Sequence, residues 1–378
     1  MLYLNMPFCY SPWSNIDISP QGDISPCCKF QSKYYPQTFN IQQNTIQEYI
    51  NSDFVQDIKQ QFQQDRWPTG CERCRIEELN NIESKRLLDY TRWQEHYDHY
   101  DYDQSTLLTA SIAFGNTCNL KCITCGPVSS SRWQQEHLDI HKIDIKHFKF
   151  YKKNFVQDFI LSAPNIIHFD IPGGEPFLSG IDEQKELLNY YIKSGQSQNM
   201  TLHYTTNVTI FPDKEWWILW ESFKEIDMQL SIDGIGARYE YIRFPAVWSE
   251  VLENVNRYTK VKLNNFKLSV SHTVSAYNIF YLEEFFQWCY TIGLPRPWLG
   301  RVHTPDYFRP SIWPEPAKSA IVSRLISSSI PDVRIWGDLV ANTNDSIQFE
   351  TFKKQLLAHD QYRNLNFART FTEMAKYL

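Results

Sequence analysis

Residues 108–127 read LTASIAFGNTCNLKCITCGP. The run opens on an apolar, β-favouring stretch at 108–114 and ends in a loop holding Cys118, Cys122 and Cys125. A closed single-metal site takes four ligands. Three thiolates on a cubane iron–sulfur cluster leave one iron open, and an open iron can bind a small chelating ligand and hand it an electron. A zinc knuckle, or three cysteines of a core, is the competing reading of the spacing. It wants a fourth Cys or His beside the loop, and the next candidates along the chain are His137 and His141.

Outward from this loop the chain alternates strand and helix. β-favouring runs recur at 166–171 (IIHFDI), 200–206 (MTLHYTT), 227–232 (DMQLSI), 266–272 (FKLSVSH) and 297–302 (PWLGRV). Between them, helical spacing of apolar residues is found at 181–194 (Leu187, Leu188, Tyr191, Ile192), 213–224, 247–260 and 278–291. Repeating β/α units with such connections predict an α/β fold with a parallel sheet, curved into a partial (β/α)6 barrel. A full eight-unit barrel would need more chain than this.

Ligands of α/β folds gather at the carboxyl ends of parallel strands. Gly173, Gly174, Glu175 and Pro176 stand at such an end, after IIHFDI. Two glycines let backbone approach a ligand closely, although Gly-Gly is also common in ordinary tight turns. CNLKCxxCGP followed by GGEP resembles the radical S-adenosylmethionine (radical SAM) enzymes. The resemblance implies the same partial barrel, and a [4Fe–4S] cluster on Cys118, Cys122 and Cys125 whose open iron is chelated by SAM. These three cysteines would be the catalytic centre, and GGEP would receive the SAM amino group. SIDG at 231–234, then YEYIRFPAVW, resembles the motif after the fourth strand. By that likeness Ser231 and Arg243 join the SAM site, the arginine because its fork matches a carboxylate; Asn207, at the end of the third strand, is expected there too. Thr124 departs from the aromatic residue that many members carry before the third cysteine. Alternation along the later strands offers Ser271 and Thr273 to the ribose and Val302 to the adenine.

Residues 1–105 differ in character, with short segments, many Gln and Asn, and five of the nine cysteines. FCYSPWSNIDISPQGDISPCC reads as a hairpin with a Gln-Gly-Asp turn, bringing Cys9 near Cys27. Cys71 and Cys74 form a CxxC further on. One amphipathic helix is predicted at 52–65 from Phe54, Ile58 and Phe62. The spacing alone leaves iron and zinc equal here. C-x12-G-x4-C with the later CxxC resembles the twitch (half-SPASM) auxiliary domain of radical SAM proteins, running on through IESKR at 82–86. That likeness implies a second [4Fe–4S] cluster on Cys9, Cys27, Cys71 and Cys74. The adjacent Cys28 stays an alternative to Cys27. Three parts are therefore expected: an auxiliary domain (1–105), the radical SAM core (106–310) and a helical C-terminal extension (311–378).

Composition narrows the partners. The chain is 378 residues long, 42 % hydrophobic, with a net charge of −6. That is ample for a core, and without a basic stripe no nucleic-acid partner is expected. Neither a signal peptide nor a run long enough to span a bilayer is read, so a cytoplasmic protein is expected. Clustered cysteines without secretion signals point to metal or redox chemistry rather than disulfides. Cys289, within FFQWCY, and Trp216, Trp217 and Trp220 read as packing. His303, Asp306, Tyr307, Asp170 and Asp233 are polar groups on the expected open face, unranked. The resemblance implies SAM, a reductant such as flavodoxin or ferredoxin, and a peptide or protein substrate, or else a small molecule. A non-catalytic zinc-binding or electron-transfer protein is the reading from another class.

Overall fold

A computed structural model describes residues 7–35, 37–79, 83–102, 106–144 and 155–378. Residues 1–6 of the stretch read for a signal peptide, and Ile82 of IESKR, lie outside the described residues. By contact the chain forms two compact units: residues 1–116, 148–204 and 214–226, and residues 117–147, 205–213 and 227–378.

The first unit carries strands β1 (Asn15–Ile18), β2 (Asp23–Ser25), β3 (Phe39–Asn40), β4 (Thr109–Ile112), β5 (His168–Ile171) and most of β6 (Thr201–Thr206), in the order β3-β2-β1-β4-β5-β6. β1 and β2 form the expected hairpin, with Gly22 at φ +84° in its turn. The first arm departs from expectation. A helical turn, Ser11–Ser14, forms on the carbonyl of Tyr10 with Pro12 in its first turn, where proline's fixed φ fits and its missing N–H costs nothing. The strand therefore begins only at Asn15. β1 then pairs parallel with β4, β4 with β5 and β5 with β6.

Side chains alternate across a strand. Ile16, Ile18, Ala110, Ile112, Phe169, Ile171, Leu202 and Tyr204 are buried on one face of this sheet. Helix Ile181–Lys193 contributes Leu187, Leu188 and Tyr191 to the same core, and Phe159 stacks on Phe169. The opposite face is polar, and its register aligns Asp17, Ser111, Asp170 and His203 across β1, β4, β5 and β6. Helix Asp53–Gln63, capped by the Ser52 hydroxyl, buries Phe54, Val55, Ile58 and Phe62 as its spacing requires. Trp216 and Trp220 are buried packing residues, with Trp217 edge-on to Trp220.

The second unit holds most of β7 (Glu225–Ser231), then β8 (Phe266–Val274) and β9 (Trp298–Arg301), with β8 and β9 parallel. The chain after residue 311 is helical, at Ala317–Ile326, Pro331–Asn342 and Phe349–Arg363. These helices share a core with Tyr277, Phe308, Trp313, Phe352 and Phe371. Val302 lies in this core, and Cys289 is buried in helix Leu282–Thr291. Among the described residues no helix is long and apolar enough to cross a membrane.

Candidate iron–sulfur and cofactor sites

In the second unit, Cys118, Cys122 and Cys125 occupy one loop. Cys118 is buried and the other two are half-buried. The three thiols act on one another in every pairing. Burial first, then these neighbours, pushes the Cys122 thiol up strongly and Cys125 to about 11. Desolvated thiolates packed together need a cation to offset their charge. The loop's backbone is tied on both sides of Arg243: Lys121 N donates to Phe244 O at 2.7 Å, and Ile123 N to Ile242 O at 2.7 Å. The fork of Arg243 is thereby placed beside the thiols, and its charge pulls the Cys122 thiol down against the effect of burial.

Arg243 has an internal partner. Its Nε and Nη2 donate to Oδ2 of Asp233 at 2.9 and 2.8 Å, and both residues are buried. Asp233 Oδ1 accepts from Thr273 N at 2.7 Å. Asn278 Nδ2 donates to the carbonyls of Asp233 and Thr273. Ser231 and Ser271 share a hydroxyl hydrogen bond of 3.2 Å. Buried His272, its Nδ1 on the Ile232 carbonyl, is held down at about 4 chiefly by desolvation, so it is neutral at pH 7. Asn207 Nδ2 donates to Asn119 Oδ1 at 2.9 Å and approaches Cys118 Sγ at 3.7 Å. Asn207 thus stands against a thiol rather than apart from the loop. Asp306 is engaged by Gln348 Nε2.

A second support under the loop has no signal in the sequence. Lys121 Nζ, between the first two cysteines, reaches Glu136 at 2.7 Å. The same fully buried carboxylate takes His359 Nδ1 at 2.9 Å and Arg363 Nε at 2.8 Å. Burial opposes the charge on Glu136, but its cationic and hydrogen-bonding partners prevail and hold the carboxyl down at about 2. Trp133 Nε1 donates to Cys122 O at 3.0 Å, and Arg363 lies over the Trp133 ring. Helix Phe349–Arg363 therefore anchors the cysteine loop through one carboxylate.

In the first unit, GGEP follows β5 directly. Gly173 has φ +145°, and a Cβ there would meet Gly115 O at 3.4 Å. Gly174 N lies 3.4 Å from Gly115 O, and Glu175 and Pro176 are buried. The glycines thus permit close approach of this turn to the chain leaving β4.

Also in the first unit, Cys9, Cys27, Cys71 and Cys74 line a single cavity of about 350 Å³, together with Lys85 and Arg86. Thiol acts on thiol between Cys9 and Cys74, Cys9 and Cys27, Cys9 and Cys71, Cys27 and Cys71, and Cys71 and Cys74. Cys28 instead faces a different cavity, beside Asp17 and Asp170. Gly70 permits the turn before Cys71, since a Cβ there would lie 2.4 Å from the Phe30 ring. Arg86 donates to both oxygens of Glu78 and to Phe8 O at 2.8 Å, tying helix Lys85–Tyr97 to the cavity wall. Among the described residues no three His, Cys, Asp or Glu side chains converge as a single metal ion would require. Cubane thiolates bind separate irons, so that convergence is not demanded of them. In both places the donor set, thiols alone, fits a cluster.

Residues 9–75 match the family model of SPASM, an iron–sulfur cluster-binding domain. The match spans all four cysteines of the cavity. No curated protein matches the chain. Among solved structures, native anSMEcpe with bound AdoMet and Cp18Cys peptide is 15 % identical, with TM-score 0.41, over 57 % of this chain and 58 % of that one. Streptococcus suis SuiB bound to precursor peptide SuiA is 13 % identical, with TM-score 0.38, over 85 % of this chain and 64 % of that one. TYW1 with a lysine-pyruvate adduct bound is 14 % identical, with TM-score 0.35, over 67 % and 82 %.

Proposed function

We propose that this chain is a radical SAM enzyme with two [4Fe–4S] sites on a partial (β/α)6 barrel, an N-terminal twitch-like domain holding the second. The observation that carries the reading is the loop of Cys118, Cys122 and Cys125: three mutually interacting thiols with Arg243 pinned beside them. The SPASM match over 9–75 supports the second site, with Cys9, Cys27, Cys71 and Cys74 as its ligands and Cys28 outside it. When bound, these groups would supply the hard chemistry, a one-electron reductive cleavage of SAM to methionine and a 5′-deoxyadenosyl radical able to take a hydrogen atom from substrate.

The chain's own residues bind and orient. Gly173 and Gly174 offer backbone to the SAM amino group. Arg243, held by Asp233, directs positive charge at the carboxylate end, with Ser231 nearby. Asn207 donates toward the Cys118 sulfur, a contact that tunes a cluster's potential. The desolvated setting of the three thiols excludes water from a reactive species. The substrate is a peptide or protein, or else a small molecule, and the electrons come from a flavodoxin- or ferredoxin-type reductant.

The test is 5′-deoxyadenosine formation, read by mass spectrometry, from anaerobically reconstituted protein with SAM and a strong reductant. The control is the Cys118→Ala/Cys122→Ala/Cys125→Ala protein. Product in the wild type alone is the expected result. Absence of product from protein that retains its core cluster, with candidate substrates present, overturns the enzyme reading in favour of an electron carrier.

A further inference from the structure

The polar face of the first unit's sheet lines a second cavity of about 570 Å³ that the chemistry above does not use. Helix Lys85–Tyr97 contributes Lys85, Asp89, Arg92 and Trp93 to its lining, opposite the row Asp17, Ser111, Asp170 and His203. Lys85 pairs with Asp89 at 2.6 Å, and its charge also reaches Asp17 and Asp170, where His203 and Arg92 act on Asp170 as well. Asp17 and Asp170 act on each other across β4, and the hydroxyl of Ser111 stands between them in the register, within reach of both. A hydroxyl carries one proton and donates to one carboxylate at a time. Consistently, Asp170 Oδ1 is buried without a hydrogen-bond partner among the described residues. Burial, more than any neighbour, raises the Asp17 carboxyl to about 6, and burial raises Asp170 as well. Two desolvated carboxylates facing one space are relieved by a cation that donates hydrogen bonds to both.

The cavity adjoins the cysteine site. Lys85 lines both cavities, and the neighbouring residues Cys27 and Cys28 face one each. A group bound on Asp17 and Asp170 would thus share the Lys85 wall with the cysteine cavity.

We propose that this cavity is a substrate subsite for a cationic nitrogen group, a protonated amine or a guanidinium, held between Asp17 and Asp170 with Ser111 bridging them. The inference deepens the proposed function and rests on it for the word substrate. Its binding chemistry can be read without SAM cleavage.

The test is calorimetry on the anaerobically reconstituted holoprotein. The probes are N-acetyl-lysine methylamide, N-acetyl-arginine methylamide and the uncharged N-acetyl-norleucine methylamide. One or both cationic probes should bind at least tenfold more tightly than the neutral one, and the arms separate ammonium from guanidinium. Asp170→Asn should weaken the cation tenfold or more and leave the norleucine probe unchanged. Since a buried substitution can unfold a sheet, a second reading uses unmodified sequence: the cationic probe should protect Cys28 from alkylation, mapped by peptide mass spectrometry, and the neutral probe should not. Equal affinity for all three probes, or no protection of Cys28 at saturating cation, overturns the subsite. Deoxyadenosine formation with such a null result leaves the radical SAM reading standing.

Discussion

At the residue scale, the adjacent pair Cys27 and Cys28 shows how far one peptide unit changes chemistry. Cys27 joins Cys9, Cys71 and Cys74, whereas Cys28 turns to the cavity of Asp17 and Asp170. Cys27→Ala should therefore remove the second cluster, dropping iron from about eight to about four per chain, while Cys28→Ala keeps both. Iron and sulfide analysis with electron paramagnetic resonance reads the difference. Asp233 and Arg243 form a buried pair whose separate removal leaves an unpaired charge. Asp233→Asn should cost ~3–5 kcal/mol of stability, and Asp233→Asn/Arg243→Met should recover much of it. Denaturant unfolding measures both, and equilibrium dialysis of SAM should show that the double variant binds it weakly despite its recovered stability. The roles of Asn207 and Arg243 were suggested by motif likeness, but their partners were not. Nothing in the chain order announces that Asn119 and Cys118 lie against Asn207, or that Asp233 claims the guanidinium.

Elements make different demands. The turn Thr69–Cys71 passes so near Phe30 that Gly70→Ala drives a methyl into the ring. The expected cost is ~1–3 kcal/mol from overpacking, with selective loss of the second cluster's iron because Cys71 follows directly. Helix Phe349–Arg363 is tied to the cysteine loop through Glu136, faced by Lys121, His359 and Arg363. The Glu136 carboxyl is depressed from 4.5 to about 2. A depressed acid stabilises the fold above its ordinary value, and that contribution is lost as pH falls from about 4.5 through about 2. Its size is on the order of 3 kcal/mol at neutral pH. Glu136→Gln should therefore be less stable than the wild type at pH 7, and the gap should close toward pH 2. Unfolding free energies across that range check the sign. The helical character of 311–378 is readable in the chain, but one buried carboxylate shared by Lys121, His359 and Arg363 is not, because packing alone brings the cysteine loop, the helix of Glu136 and helix Phe349–Arg363 together.

For the whole molecule, periodicity carried most of the fold. Apolar and polar residues alternate with a period of two in the strands and recur at three to four in the helices, because one face of each element must leave water. That local requirement made the α/β class legible, along with strands β4 to β9 and the helices between them. Cysteine spacing likewise made the grouping of Cys118, Cys122 and Cys125 legible, since a loop of eight residues can present three thiols together whatever surrounds it. Other features needed the packed chain. The first hairpin arm starts as a helical turn, and β1 extends the parallel sheet beside β4. Cys27 parts from Cys28, Glu136 anchors the cysteine loop, and Asp17 meets Asp170 across Ser111. Each of these joins residues far apart in sequence through burial and register. Such pairings arise only when strands align and side chains are desolvated together, and composition and spacing do not encode them.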